Sequence, residues 1–243
     1  MILADDNFVT IVEAVKTGRH IYANIKKAIH FLIATNIGEI VAIFFGLLLG
    51  LETPLLAIQL LWINLVTDSF PAIALGMEPA EKDIMNRKPN DSKKSIFADG
   101  LWEKIFVEGF MIGILTLIAY LVGLGTTTTS IDGLTLEETK VEVAQTMAFT
   151  VLAFSELIHV FNVRDNKNSI FKTGILGNPI LIYAVLASAI LMGIILVIPG
   201  LRTAFSIPIL PVGNIVETVA LIFAPIVIVE IIKFFKVNTA KDE

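Results

Sequence analysis

Residues 29–51 read IHFLIATNIGEIVAIFFGLLLGL, and only His30, Thr35, Asn36 and Glu39 interrupt the apolar run. An α-helix rises 1.5 Å per residue, so about 20 such residues cross the ~30 Å hydrocarbon core of a bilayer. The stretch reads as a transmembrane helix with a carboxylate near its middle. Five further apolar blocks of similar length follow, at 54–77, 105–125, 143–161, 180–199 and 215–232. The composition agrees: 55% of residues are hydrophobic, the mean hydropathy is +0.80 and only 17% are charged, against the roughly 25% of an ordinary soluble domain. The fold class expected is an all-α membrane protein with six transmembrane helices. The first block follows a charged, helix-patterned segment, so it does not read as a cleaved signal peptide.

Six spans put both ends on one side. Sixteen of the eighteen Lys and Arg residues fall on that side, leaving Lys140 and Arg202 on the other. Basic residues stay cytoplasmic in short loops, so both termini are expected in the cytoplasm; the membrane expected is the plasma membrane. No basic stripe interleaved with aromatics is left over, which argues against a nucleic-acid partner. The absence of cysteine excludes disulfides and thiolate metal sites.

Ahead of the first span, Phe8, Ile11, Val12 and Val15 recur at helical spacing behind a cap candidate at Asp5, Asp6 and Asn7. Gly18 is expected to end or bend this segment. From Arg19 the pattern resumes and runs into the first span, predicting a stalk that projects from the bilayer. The second span opens at Pro54 and holds Pro71. In the third, Gly109 and Gly113 form a GxxxG suited to close helix packing.

Charges inside hydrocarbon cost on the order of 2.5–3.5 kcal/mol each on insertion scales. Glu39, Asp68 and Glu156 lie deep in spans one, two and four. Asn36 and Glu39 stand at i, i+3; Asn64, Thr67 and Asp68 stand at i, i+3, i+4, so each set shares a helix face. Pro71 clashes with the carbonyl of Thr67, so the helix is expected to distort there. No Lys or Arg in these spans neutralises the carboxylates, which leaves that role to a cation, or to protons when the cation is gone. Oxygen-only ligands fit a hard cation of flexible coordination, Ca²⁺ better than Mg²⁺, with Mn²⁺ also compatible. Glu156 stands alone on its helix, and its residues leave both a ligand and a buried protonated carboxyl open. Glu108, Glu217 and Glu230, near span ends, read as protonated or interfacial. His20, His30 and His159 read as packing or interfacial groups, too scattered to ligate a metal together.

At these residues the chain resembles a known family. LADDNFVTIVEAVKTGRHIYANIKKAIHFLIATNIGEIV (3–41) resembles the end of the phosphorylation domain and the fifth transmembrane helix of calcium-transporting P-type ATPases; QLLWINLVTDSFPAIALGMEP (59–79) resembles their sixth helix, DIMNRKP (83–89) the loop after it, and MAFTVLAFSELIHVFN (147–162) the eighth. The resemblance implies that residues 1–18 are a remnant of the cytoplasmic phosphorylation domain and that 19–243 form the transmembrane domain. It implies Asn36, Glu39, Asn64, Thr67, Asp68 and Glu156 as ligands of transported Ca²⁺, with H⁺ counter-transported. The DKTGT, GDGxNDxP and TGE motifs of the family do not occur here. The chain alone is therefore expected not to hydrolyse ATP, and Mg²⁺ and ATP belong to a missing amino-terminal half carrying helices one to four and the cytoplasmic domains. The expected function is the ion-binding membrane part of an ATP-driven calcium pump, the chain being a fragment of a longer frame. The alternatives are a stand-alone six-helix cation-binding module and a truncation without pump activity.

Overall fold

The computed structural model describes residues 8–80, 83–86, 95–98, 100–126, 134–164 and 174–239. The cap candidate Asp5, Asp6 and Asn7 and the charged run at 87–94 lie outside the described residues. Among the described residues there is no strand, and six helices are long and apolar enough to cross a membrane. The protein is a multi-pass integral membrane protein.

Helix α1, Phe8–Leu48, is continuous through 41 residues. Gly18 neither ends it nor interrupts it, contrary to the sequence expectation: one glycine costs about 1 kcal/mol against alanine, too little to stop a helix that is favoured on both flanks. At 1.5 Å per residue α1 spans about 62 Å, twice the hydrocarbon thickness. Its amino-terminal part must therefore stand outside the bilayer.

The second span is broken in character. It comprises α2, Ala57–Trp62, a π-helical segment, Ile63–Asp68, and α3, Ser69–Gly76. The distortion expected from Pro71 is present as widened helical turns rather than as unwound chain. Side chains take up the displaced carbonyls: Thr67 Oγ1 donates to Ile63 O at 2.9 Å, Asn64 Nδ2 to Leu60 O at 3.0 Å, and Ser69 Oγ to Asn64 O, five residues back, at 3.0 Å. Proline removes a donor and crowds the preceding turn, and π-bulges often mark functional sites.

The remaining spans are α4, Leu101–Leu124, α5, Leu136–Val163, α6, Pro179–Val197, and α8, Val212–Thr239, with the short α7, Pro199–Ala204, before the last. Thr135 and Glu138 form a reciprocal cap that starts α5, with Thr135 N donating to Glu138 Oε2 at 2.8 Å and Glu138 N to Thr135 Oγ1 at 3.3 Å. Helix α5 is the central post: 83% of its most apolar stretch is buried, against 22% for α6 and for α8 at the periphery. The outer surface carries exposed apolar side chains such as Phe44, Leu65, Tyr183 and Val216, while Gln59, Thr67, Asp68, Thr116, Ser155 and Glu156 are buried. That inside-out distribution suits a solvent of lipid.

Close helix approach depends on Gly109 and Gly113. A Cβ on Gly109 would lie 2.6 Å from Ala34 O, and one on Gly113 2.6 Å from Gly38 O. The backbones of α1 and α4 are thus in contact beside Glu39. This is the packing role expected of the GxxxG spacing.

Candidate functional site

Three helices supply the candidate ligands: α1 carries Asn36 and Glu39, the π-segment carries Asn64, Thr67 and Asp68, and α5 carries Glu156. Glu39, Thr67, Asp68 and Glu156 are buried; Asn36 and Asn64 are half-buried. Asn64 Nδ2 donates to Glu39 Oε1 at 2.7 Å, joining the first two helices. Thr35 Oγ1 lies 2.9 Å from Asp68 Oδ2 and donates to it, a second bridge between the same helices. Glu39, Asp68 and Glu156 lie close enough for their charges to interact.

Asp68 Oδ1 and both carboxylate oxygens of Glu156 are buried with no N–H or hydroxyl donor, and the Asp68 and Glu156 carboxyls face each other closely enough that a shared proton or a cation must stand between them. Buried polar atoms in native proteins are paired in the great majority of cases, and buried charges need a counter-charge. No Lys or Arg among the described residues pairs with Glu39, Asp68 or Glu156. These are lone pairs directed into a low-dielectric interior, the chemistry of a hard-cation ligand set. The other two candidates are turned inward on their own helices: Asn36 Nδ2 donates to Leu32 O at 2.6 Å and Thr67 Oγ1 to Ile63 O. Their acceptor oxygens keep lone pairs. Among the described residues no three His, Cys, Asp or Glu side chains gather tightly enough to hold a metal by themselves, so amide and hydroxyl oxygens would have to complete any coordination shell.

Two polar groupings escaped the sequence reading. Glu108, taken as protonated or interfacial, instead receives two histidines: its Oε2 lies 2.6 Å from His30 Nε2 and 3.2 Å from His159 Nε2. The glycine contact at the next residue, Gly109, draws α4 against α1 and carries Glu108 to His30. His30 and His159, scattered in sequence, therefore meet on one carboxylate. The second grouping surrounds Glu78 and Arg164, whose Nη2 and Oε1 atoms are 2.8 Å apart. Thr35 was missed as well, although its place four residues before Glu39 puts it on the same helix face.

Fold and site together define a polytopic helical membrane protein with an acidic, oxygen-lined interior shared by three spans. The chain belongs to the family described as cation transporting ATPase, C-terminus, whose family profile matches residues 52–235. It is 42% identical over 98% of its length to the calcium-transporting ATPase 1 of Bacillus cereus, covering 27% of that protein. It is 42% identical over 84% of its length to the calcium-transporting ATPase of Bacillus subtilis, covering 22% of it. To the human calcium-transporting ATPase type 2C member 1 it is 34% identical over 100% of its length, covering 25% of that protein. The chain thus spans about a quarter of the length of the curated relatives it matches, and corresponds to the carboxy-terminal membrane portion of the P-type calcium ATPases it resembles.

Proposed function

We propose that this chain supplies the ion-binding membrane part of an ATP-driven calcium pump, with Asn36, Glu39, Asn64, Thr67, Asp68 and Glu156 as the oxygen ligands of the transported Ca²⁺. The observation that carries the reading is the facing pair of buried carboxyls on Asp68 and Glu156, three of whose oxygens receive no N–H or hydroxyl donor, in a protein whose relatives are named calcium-transporting ATPases. Mn²⁺ shares this ligand chemistry, and protons occupy the carboxylates after the cation leaves. The chain lies in the plasma membrane with both termini and the α1 stalk on the cytoplasmic side. The amino-terminal half of the pump binds ATP and Mg²⁺ and forms the phosphorylated intermediate.

The residues here perform the transport half of the cycle. Displacement of the stalk by the cytoplasmic domains moves Asn36 and Glu39 with it, because they lie on the same unbroken helix. The wider turns at Ile63–Asp68 let Asn64, Thr67 and Asp68 change their presentation without breaking a regular hydrogen-bond ladder. Two arrangements that bind Ca²⁺ differently are what couple phosphorylation to ion movement.

The test is equilibrium binding of radioactive calcium to the 243-residue chain in lipid nanodiscs. Saturable binding is expected, weakened at least about thirtyfold by Asp68→Asn, the equivalent of roughly 2 kcal/mol for one lost charged interaction. Absence of saturable binding, or unchanged affinity in Asp68→Asn, would refute the proposed site.

A further inference from the structure

Glu78 lies two residues beyond the end of α3, and its carboxylate is only 8% exposed. Arg164, 3% exposed, caps the end of α5 and grips it with a forked geometry: Nε donates to Oε1 at 3.0 Å and Nη2 to the same oxygen at 2.8 Å, with Oε2 3.2 Å from Nε. Asn178 Nδ2 donates to Oε2 at 2.7 Å, while Asn178 Oδ1 accepts from Leu181 N and so caps α6. The backbone carbonyl of Glu78 is held from a different direction. His20 Nε2 reaches it at 2.6 Å and Asn24 Nδ2 at 2.8 Å, both from the stalk part of α1, and Asn24 also donates to Gly76 O at 3.2 Å. One residue therefore joins α1, α3, α5 and α6.

Of those helices α1 carries Asn36 and Glu39 and α5 carries Glu156, while the π-helical segment that carries Asn64, Thr67 and Asp68 runs directly into α3. Glu78 follows Asp68 by ten residues and Arg164 follows Glu156 by eight, so the junction sits roughly 12–15 Å along the helices from both carboxylates. Helices are stiff over that length, and a shift at the junction reaches Asp68 and Glu156 together.

We propose that Glu78 is a positioning residue for ion binding: through Arg164 and Asn178 it fixes the axial register of Asp68 against Glu156, and through its carbonyl it ties that register to the stalk. The inference rests on the proposed ion site, and it deepens it by naming what holds the site together and links it to the stalk. Burying a charge pair is justified energetically only when the geometry and the remaining hydrogen bonds are good, which is the case for this pair. Uncoupled from Arg164, α5 would slide relative to α3 and separate the two carboxylates.

The chain contains no cysteine, so spin labels can be placed at will. Distances would be measured by double electron–electron resonance between labels at Ile73→Cys on α3 and Leu136→Cys on α5, and between Ile21→Cys on α1 and Leu136→Cys, all three positions exposed. Calcium binding would be measured on the same nanodisc preparations. Glu78→Ala and Arg164→Met are expected to broaden both distance distributions and weaken calcium binding about tenfold with unchanged stoichiometry. Glu78→Gln keeps the shape and the Asn178 contact and should fall between wild type and Glu78→Ala, which guards against a variant that merely fails to fold. The double variant should be no worse than the poorer single one, because both remove the same interaction. Narrow, wild-type distances or wild-type affinity in Glu78→Ala would overturn the proposal. If the wild type bound no calcium, the proposed function would fail, while the distance distributions would still decide whether Glu78 sets the register.

Discussion

Replacing Gly113 by alanine tests how closely the helix backbones at the heart of the protein approach. A Cβ there would lie 2.6 Å from both Gly38 O and Val41 Cβ, whereas ordinary contact begins at 3.4 Å. The α1 and α4 backbones must therefore part by about 0.8 Å, since neither obstacle is the end of a flexible side chain. The same separation stretches the His30 to Glu108 contact from 2.6 Å toward the limit of a hydrogen bond. Overpacking costs about 1–3 kcal/mol and a weakened bond to a carboxylate about 1 kcal/mol more, against a gain of up to about 1 kcal/mol from helix propensity. A net loss of about 2 kcal/mol follows. Gly193 on α6 supplies the control, because a Cβ there meets nothing within 4 Å. Gly193→Ala should be neutral or stabilising by up to about 1 kcal/mol. Unfolding by sodium dodecyl sulfate in mixed micelles, followed by circular dichroism, would measure both variants against wild type. Equal stability of Gly113→Ala and wild type, or shifts of the same sign in both variants, would refute the close-packed seam.

A cysteine introduced at Leu136, 44% exposed at the start of α5, should react with a membrane-impermeant maleimide added outside intact cells; labelling only after permeabilisation would contradict the proposed orientation. Among the carboxylates, Glu39→Gln should reduce calcium affinity more than Glu156→Gln, because Glu39 also anchors Asn64 through the 2.7 Å bond, and titrations of the two variants in nanodiscs would rank them. Each carboxylate must surrender any proton it holds before it ligates a cation. Wild-type calcium affinity should therefore rise with pH and then level off, and a flat profile from pH 5 to pH 9 would count against carboxylate ligation.

The sequence alone determined the number of spans, their helical nature and the positions of the three intramembrane carboxylates. Those features depend on local chemistry: some twenty apolar residues must satisfy their own backbone in lipid, and a charge among them stands out against its neighbours. The effect of Pro71 was legible for the same reason, since its missing donor and its clash act within one turn, although the form of the distortion was not. Gly18 misled because a local penalty was weighed without the helix on either side. Tertiary structure alone decided the partners. His30, Glu108 and His159 lie on three helices and gave no common pattern, and only the glycine contact between α1 and α4 brings the first two together. Thr35 bonds Asp68 because α1 and the π-helical segment pack with those two side chains facing each other. Glu78 was not singled out in the sequence, and it forms a buried pair with Arg164 only because α1, α3, α5 and α6 converge on it. Spacing along one helix reports which residues share a face; which face meets which is settled by packing among all six.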